Sequence, residues 1–369
     1  MSKIRDYISA SLSLVDNYQL ASGLFLKSLA IIYFVAFLSL AVQITGLVGA
    51  NGILPFHEVL DYMYQSQGAG AFLYKPTVFW LESSDTALIT VCVLGCAVSL
   101  LLLAGVQPTW CLIVLFVLYL SLLHAGQTFL MFQWDILLLE AGFLAIFLTR
   151  GVNHLLLFMF HWLLFRLRFM SGVSKLASGD PSWSAMTTLN YYFETQPLPH
   201  IGAWYFHHLP EWVLKGGVML VFFSELIVPF FIFLPRKFRL FAAGFTIFIQ
   251  LLIIATSNHN WINLMTIVLC LFLLDDDVLR KVLPKMLQRY ITTEQAAEST
   301  IESASGSGHK LLRNKLVLPV FAFMIMLSST VAFTNMVTDT RYADSLKHAT
   351  MLIRLWGIGH IYHVFPNMQ

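Results

Sequence analysis

The sequence predicts an all-α fold, a polytopic membrane helical bundle of about nine spans with one long structured exoplasmic loop. Composition is the first reason. Of 369 residues, 58% are apolar and 11% charged, where soluble domains carry about a quarter charged residues. Mean hydropathy is +0.73, and the chain holds 31 phenylalanines. The second reason is that the apolar residues fall into long runs, and the third is that basic residues gather in alternate loops. These features exclude a soluble enzyme, a nucleic-acid binder and a disordered chain. A net charge of +2 leaves no surplus for gripping phosphates.

Residues 1–23 form the first segment. Ile4, Ile8, Leu12, Val15 and Tyr18 recur at helical spacing among Lys3, Arg5, Asp6 and Asp16, which predicts an amphipathic helix on the cytoplasmic interface. The bundle proper is expected over 24–275. A hydrocarbon core about 30 Å thick needs roughly 20 apolar residues per span. The runs 24–47, 86–104, 109–124, 129–149, 154–170, 213–234, 238–256 and 262–274 supply the spans of this bundle, and 316–337 adds the last. The third and eighth runs are short enough to be buried or re-entrant helices.

Loop charge gives orientation. Arg236, Lys237 and Arg239 mark one loop, and Arg280, Lys281, Lys285, Arg289, Lys310, Arg313 and Lys315 mark the linker 276–315. The positive-inside rule makes both cytoplasmic, with the N-terminus. The loops 49–85 and 171–212, each with a single Lys or Arg (Lys75 and Lys175), are then exoplasmic, as is the tail 338–369. Within the linker, 294–309 is Ser/Gly-rich and polar, the composition of a flexible tether.

Charges inside spans are costly and mark sites. Glu140, Arg166, Arg168 and Glu225 are such charges, and with His161 they form a predicted intramembrane polar network. Glu225 precedes the kink expected at Pro229. His154, His161 and Arg168 share one helical face. The bland reading of this network is ion pairing that fixes helix register. The sharper one is a polar cavity.

The segment 171–212 is aromatic and proline-punctuated, so it is expected to fold over the bundle mouth, with Trp183, Trp204 and Trp212 at the interface. His207, His208 and Glu211 suggest a metal site only weakly, because adjacent side chains point apart. Cys92, Cys96, Cys111 and Cys270 lie in apolar runs and read as buried thiols rather than disulfides or metal ligands. The first long apolar run begins near Leu24 and lacks an A-x-A site, so no cleavable signal is expected. No hydrolase elbow, phosphate loop, zinc-protease helix or dinucleotide fingerprint is present, and no catalytic residue, metal or cofactor is expected.

The ordered motifs FLMFQWDILLLEAGFLAIFL, FRLRFMSGVSKLASGDPSW, LNYYFETQPLP, WYFHHLPEW, ELIVPFF and LLDD resemble the lipase maturation factor family, as does the earlier GANGILPFHEVL. The likeness runs from about Tyr18 to Asp276. A weaker resemblance links the bundle to the membrane region of vitamin K-dependent carboxylases. The first resemblance implies a multi-pass, chaperone-like protein that is not an enzyme and helps secreted lipases fold and assemble. Its partners would be membrane lipid and secreted clients. Its membrane would be the endoplasmic reticulum in a eukaryote or the inner membrane in a bacterium.

The family-motif positions are Trp134, Asp135, Glu140, Arg166, Lys175, Asp180, Trp183, Asn190, Phe193, Glu194, Thr195, Gln196, Pro197, His208 and Glu225. Family members continue past the last span into a soluble domain, and GHIYHVFPNMQ resembles the lead-in to it, so a short form or a truncated chain is expected. The rival readings are a membrane-embedded enzyme or transporter of carboxylase-like ancestry, and a structural subunit.

Overall fold

The computed structural model describes residues 11–196, 198, 200–291, 316–338 and 342–367. Residues 1–10 of the expected amphipathic segment, the 294–309 tether and Pro197 lie outside them. Among the described residues the chain is helical, with one isolated β-bridge between Leu14 and Asn153. The principal helices are α1 (Gln19–Val48), α2 (Phe56–Gln67), α3 (Asp85–Leu103), α4 (Pro108–Gly126), α5 (Gln133–Leu148), α6 (His154–Ala177), α7 (Glu211–Phe222), α8 (Arg236–Thr256), α9 (Ile262–Leu269), α10 (Val317–Val337) and α11 (Asp344–Leu355).

Among the described residues, seven helical segments are long and apolar enough to cross a membrane, so the chain is a multi-pass membrane protein. The expected count of nine differs at two places. The run at 129–149 yields only the 16 residues of α5, about 24 Å of helix, because its first residues make the turn before Gln133. The run at 262–274 gives the shorter helical stretch Ile262–Leu273. The 109–124 run, expected to be short, extends to a full span, Pro108–Phe129. In α5 every residue from Asp135 to Leu148 is buried, so this short helix is the axis of the bundle.

Contacts at the helix ends show alternating direction. At one end, here the lower, the Asp276 carboxylate accepts from the backbone N–H groups of Leu20 and Ala21, each at 3.1 Å. This caps α1 with a residue remote in sequence and places a negative charge at its positive dipole end. Val15 donates to the Val152 carbonyl at 2.8 Å, Thr109 meets Thr149 at 2.8 Å, and Arg236 pairs with Asp275. At the upper end Asp85 Oδ1 accepts from Ala50 N–H at 2.7 Å, and Trp261 Nε1 donates to the Trp134 carbonyl at 3.2 Å.

Lipid is as apolar as leucine, so burial alone does not hold such helices together. Close packing and interhelical hydrogen bonds do. Phe25, Phe160 and Phe272 lock α1, α6 and the turn after α9 together, with Phe160 and Phe272 stacked at 4.0 Å between centroids. The Tyr33 hydroxyl donates to the Leu138 carbonyl at 3.2 Å and lies where any Cβ at position 142 would stand, so α1 approaches α5 closely because residue 142 is glycine.

Two further features position the site. First, α6 does not end at Met170 as the sequence reading has it, but runs on to Ala177. Its serines are satisfied internally, Ser171 Oγ on the Leu167 carbonyl and Ser174 Oγ on the Ser171 carbonyl. Second, α7 passes into a π turn at Phe223–Ile227 and then a 3₁₀ turn at Val228–Phe233. Pro229 has no N–H to offer the carbonyl of residue 225, and its ring crowds that carbonyl. The ladder therefore opens at Glu225.

Candidate functional site

The charges inside the bundle fall into two groups arranged along α6. In the first, Arg166 reaches Glu140 on α5 through both terminal guanidinium nitrogens, Nη1 and Nη2, the bidentate geometry that makes such pairs strong. Both side chains are fully buried. Tyr362 Oη donates to Glu140 Oε2 at 2.8 Å, and Arg166 Nη1 also donates to the His360 carbonyl at 2.8 Å.

In the second group, Glu225 takes two cations. Arg168 Nη1 lies 3.6 Å from its Oε1, and Lys175 Nζ donates to its Oε2 at 2.8 Å. Arg168 Nη2 donates to Ser224 Oγ at 2.7 Å. The remaining Lys175 protons go to the carbonyls of Ser171 (3.3 Å) and Val364 (2.8 Å). The opened turn before Pro229 brings Ser224 and Glu225 together to meet α6. With all three charged, this group carries one positive charge in excess.

The chain after α11 forms a strap that lies across both groups. Gly357 and Gly359 turn it at φ +80° and +69°, a region that suits glycine alone without strain. Gly359 packs on Ser328 of α10, whose hydroxyl donates to the Gly359 carbonyl at 2.9 Å. Residues 360, 362 and 364 then touch the charges as described, and the Pro366 carbonyl accepts from Trp183 Nε1 at 2.8 Å.

Above the strap, the chain forms short helices at Pro181–Ser184, Thr188–Tyr192 and Ile201–His207. Asp180 caps the first through the Ser182 N–H at 2.8 Å. Tyr192 Oη bonds Ser257 Oγ at 2.6 Å and also meets His259 Nε2. Gln196 Nε2 donates to the Thr256 carbonyl at 3.2 Å, and Phe365 packs on His259 with ring centroids 4.5 Å apart. Burial holds the His259 imidazole down at about 4, pushes the Tyr192 hydroxyl up, and lowers His360 to about 4.

Not every predicted site residue joins this site. His161 donates instead to the Phe272 carbonyl at 2.8 Å, apart from the ion pairs. Asp135 accepts from Tyr119 Oη at 2.5 Å within the core. Trp134 stacks on Phe132 at 4.6 Å. Glu194 pairs with His207 at 3.2 Å, while His208 Nδ1 donates to the Trp204 carbonyl at 2.7 Å, and Glu211 pairs with Lys215 at 2.8 Å. His207, His208 and Glu211 therefore each have separate partners. Thr195 bonds back to the Tyr191 carbonyl at 3.0 Å, and Asn190 Oδ1 is buried without a donor among the described residues. Phe193 borders a cavity described below.

The family model for the lipase maturation factor transmembrane domain matches residues 20–281. This chain belongs to the lipase maturation factor family. It is 38% identical to lipase maturation factor 2 of Xenopus laevis over 334 residues, covering 84% of this chain and 46% of that protein. It is 41% identical to lipase maturation factor 2 of Homo sapiens, covering 70% of this chain and 40% of the relative. With lipase maturation factor 1 of Bos taurus it shares 34% identity over 90% of this chain and 63% of the relative. The chain thus spans less than half the length of the two factor 2 relatives. No solved structure matches it.

Both charge groups lie inside the matched family region, whereas the strap lies beyond it. Sequence reasoning missed the strap residues His360, Tyr362, Val364 and Phe365, because Tyr362 is separated from Glu140 by 222 positions and no local pattern spans that distance. It also missed that Lys175 belongs with Arg168. That signal was present: the two are seven residues apart on one helix face, with Ser171 between them.

Proposed function

We propose that this chain assists the folding and assembly of secreted lipases or similar clients, as a chaperone-like factor rather than an enzyme, and does so at its upper end. The observation that carries this reading is the layer at 178–210. Hydrogen bonds from Trp183, Tyr192 and Gln196 fix it to the bundle, yet it presents Ile201, Trp204 and Tyr205 exposed. A rigid cluster of exposed aromatic side chains is the kind of surface on which binding energy concentrates. The intramembrane ion pairs, clamped by the strap, would serve to hold this layer in place. The names of the relatives supply the client class.

Charge supports an orientation for the bundle. Arg236, Arg239, Arg280 and Lys281 lie at the lower end, near Asp275 and Asp276. The positive-inside rule makes that end cytoplasmic and the 178–210 layer exoplasmic. In a eukaryotic cell the layer would face the lumen of the endoplasmic reticulum, where secreted lipases fold. On this reading the domain boundaries are a bundle over 24–275, a cytoplasmic linker, and a last span whose following strap returns to the bundle.

The test is coexpression of the chain with a secreted lipase in cells that lack their own maturation factor. Replacing Trp204 and Tyr205 together by serine is expected to lower lipase activity in the medium severalfold, with the membrane level of the variant unchanged. Full activity from the double variant would sink the assignment of this surface. The same assay on variants in the 193–199 strip separates client contact from support of the layer, because Phe193 is half-buried against Tyr192 and Phe206.

A further inference from the structure

Beneath the upper layer, between α6, α7, α8 and α9, lies a cavity of 350 Å³. Small-molecule sites occupy about 300–1,000 Å³. Its walls are mainly aliphatic and aromatic, among them Leu189, Val221, Ile249 and Ile253. Its polar lining includes Arg168, Lys175 and Glu225, already joined to one another, and Gln250 on α8.

The donors in this lining are incompletely used. Lys175 spends all three protons on Glu225 and two carbonyls. Arg168 uses Nη1 and Nη2, but its Nε has no acceptor among the described residues, and neither has Gln250 Nε2. Both side chains border the cavity and are more than nine-tenths buried, at 8% and 2% exposure. A buried donor without an acceptor costs about 1–3 kcal/mol, so a side-chain rotation that turns either covered nitrogen to a ligand oxygen in the cavity removes a standing penalty. The lining also holds two cations against one carboxylate, so it favours a single negative charge.

Gly216 on α7 borders the cavity, is exposed, and has open space where a Cβ would stand. Met219 on α7, one turn from Gly216, and Leu251 on α8, between the cavity-lining Gln250 and Leu252, are exposed, on helices long and apolar enough to cross the membrane. The opening therefore faces hydrocarbon, and a ligand using it comes from the bilayer.

We propose that this cavity binds a single-chain lipid carboxylate, a long-chain fatty acid, with its head group on Arg168 and Gln250 and its chain along the apolar walls. The carboxylate supplies two acceptor oxygens and the one negative charge that the lining lacks. The volume suits one acyl chain and not the two chains of a phospholipid. The site goes beyond the maturation reading and does not depend on it.

Binding of radiolabelled palmitate to the full chain in phosphatidylcholine nanodiscs tests the proposal. Saturable binding of one palmitate per chain is expected, displaced by unlabelled palmitate but not by hexadecanol, which has the chain without the charge. Gly216→Phe, which blocks the opening where there is room for a side chain, and Gln250→Leu, which removes one donor, are each expected to weaken binding at least about tenfold. Gly216→Phe should keep the unsubstituted protein's thermal midpoint, and Gln250→Leu, which removes an unsatisfied donor, should not lower it. The proposal is overturned if binding does not saturate, if hexadecanol competes equally, or if both variants bind palmitate as the unsubstituted protein does. Lipase maturation is a separate readout, so failure of one reading leaves the other standing.

Discussion

Glu140 and Arg166 have exchanged water for each other, and the exchange holds only while both are present. A buried pair is often no more stabilising than a well-packed apolar pair, but removing one partner strands the other charge. Glu140→Gln is therefore expected to cost about 3–5 kcal/mol, seen as a large fall in thermal midpoint in detergent. Tyr362→Phe removes one hydrogen bond to the same carboxylate and should cost about 1–2 kcal/mol. Equal effects of the two changes would mean that the pair is solvated. The composition of α5 and α6 made these charges visible in the sequence, because a glutamate flanked by leucines has no solvated alternative. It did not show that Arg166 takes Glu140 while Arg168 takes Glu225. That choice depends on helix rotation and on the opened turn at Pro229, which no single element encodes.

At the scale of elements, the strap is the piece whose removal is most informative. It contributes carbonyls to Arg166, Lys175 and Trp183 and requires glycine at its turns. Gly359→Val should detach it, because the backbone there has φ +69° and Ser328 lies against the site of the new side chain. Protease accessibility of residues after α11 would rise, with the spans still inserted. If the cleavage pattern of the variant matched that of the parent, the strap would not depend on that turn.

The strap also predicts a pH response. His259 and His360 are held neutral by burial, each brought from 6.5 to about 4. Tyr192 faces the first, while Glu140, Arg166 and Arg354 surround the second. The unfolded chain takes up these protons as pH falls below 6.5, and the folded chain does not. Stability is therefore flat above that value and declines as the pH falls toward 4. Thermal midpoints from about pH 7.5 to pH 4.5 should show this decline, reduced in His360→Asn. A midpoint that rose on acidification would contradict the burial of these rings. None of this was legible in GHIYHVFPNMQ, whose histidines and aromatics suit a linker equally well until α10 and α6 provide the groove.

For the whole molecule, the sequence carried most of the architecture because a bilayer restricts the options. Apolar runs must be helices, and the seven spanning helices coincide with predicted runs. At α5 length misled because that helix is surrounded by protein rather than lipid. α5 needs no spanning length because its neighbours cover it from Asp135 onward.

Sidedness remains a matter of charge, and it is open to direct measurement. The native thiols make this simple, since Cys92, Cys111 and Cys270 are buried and Cys96 is half-buried. Tyr205→Cys places a new thiol on the upper layer, and Lys281→Cys places one at the lower end, both at exposed positions. A membrane-impermeant maleimide added to sealed vesicles of known orientation should label position 205 from the exoplasmic face alone, and position 281 only after permeabilisation. The reverse pattern would invert the bundle and put Ile201, Trp204 and Tyr205 in the cytosol, out of reach of any secreted client. The client assay and the labelling assay therefore constrain each other: a surface that matures secreted lipases must also be the surface that the reagent reaches from outside.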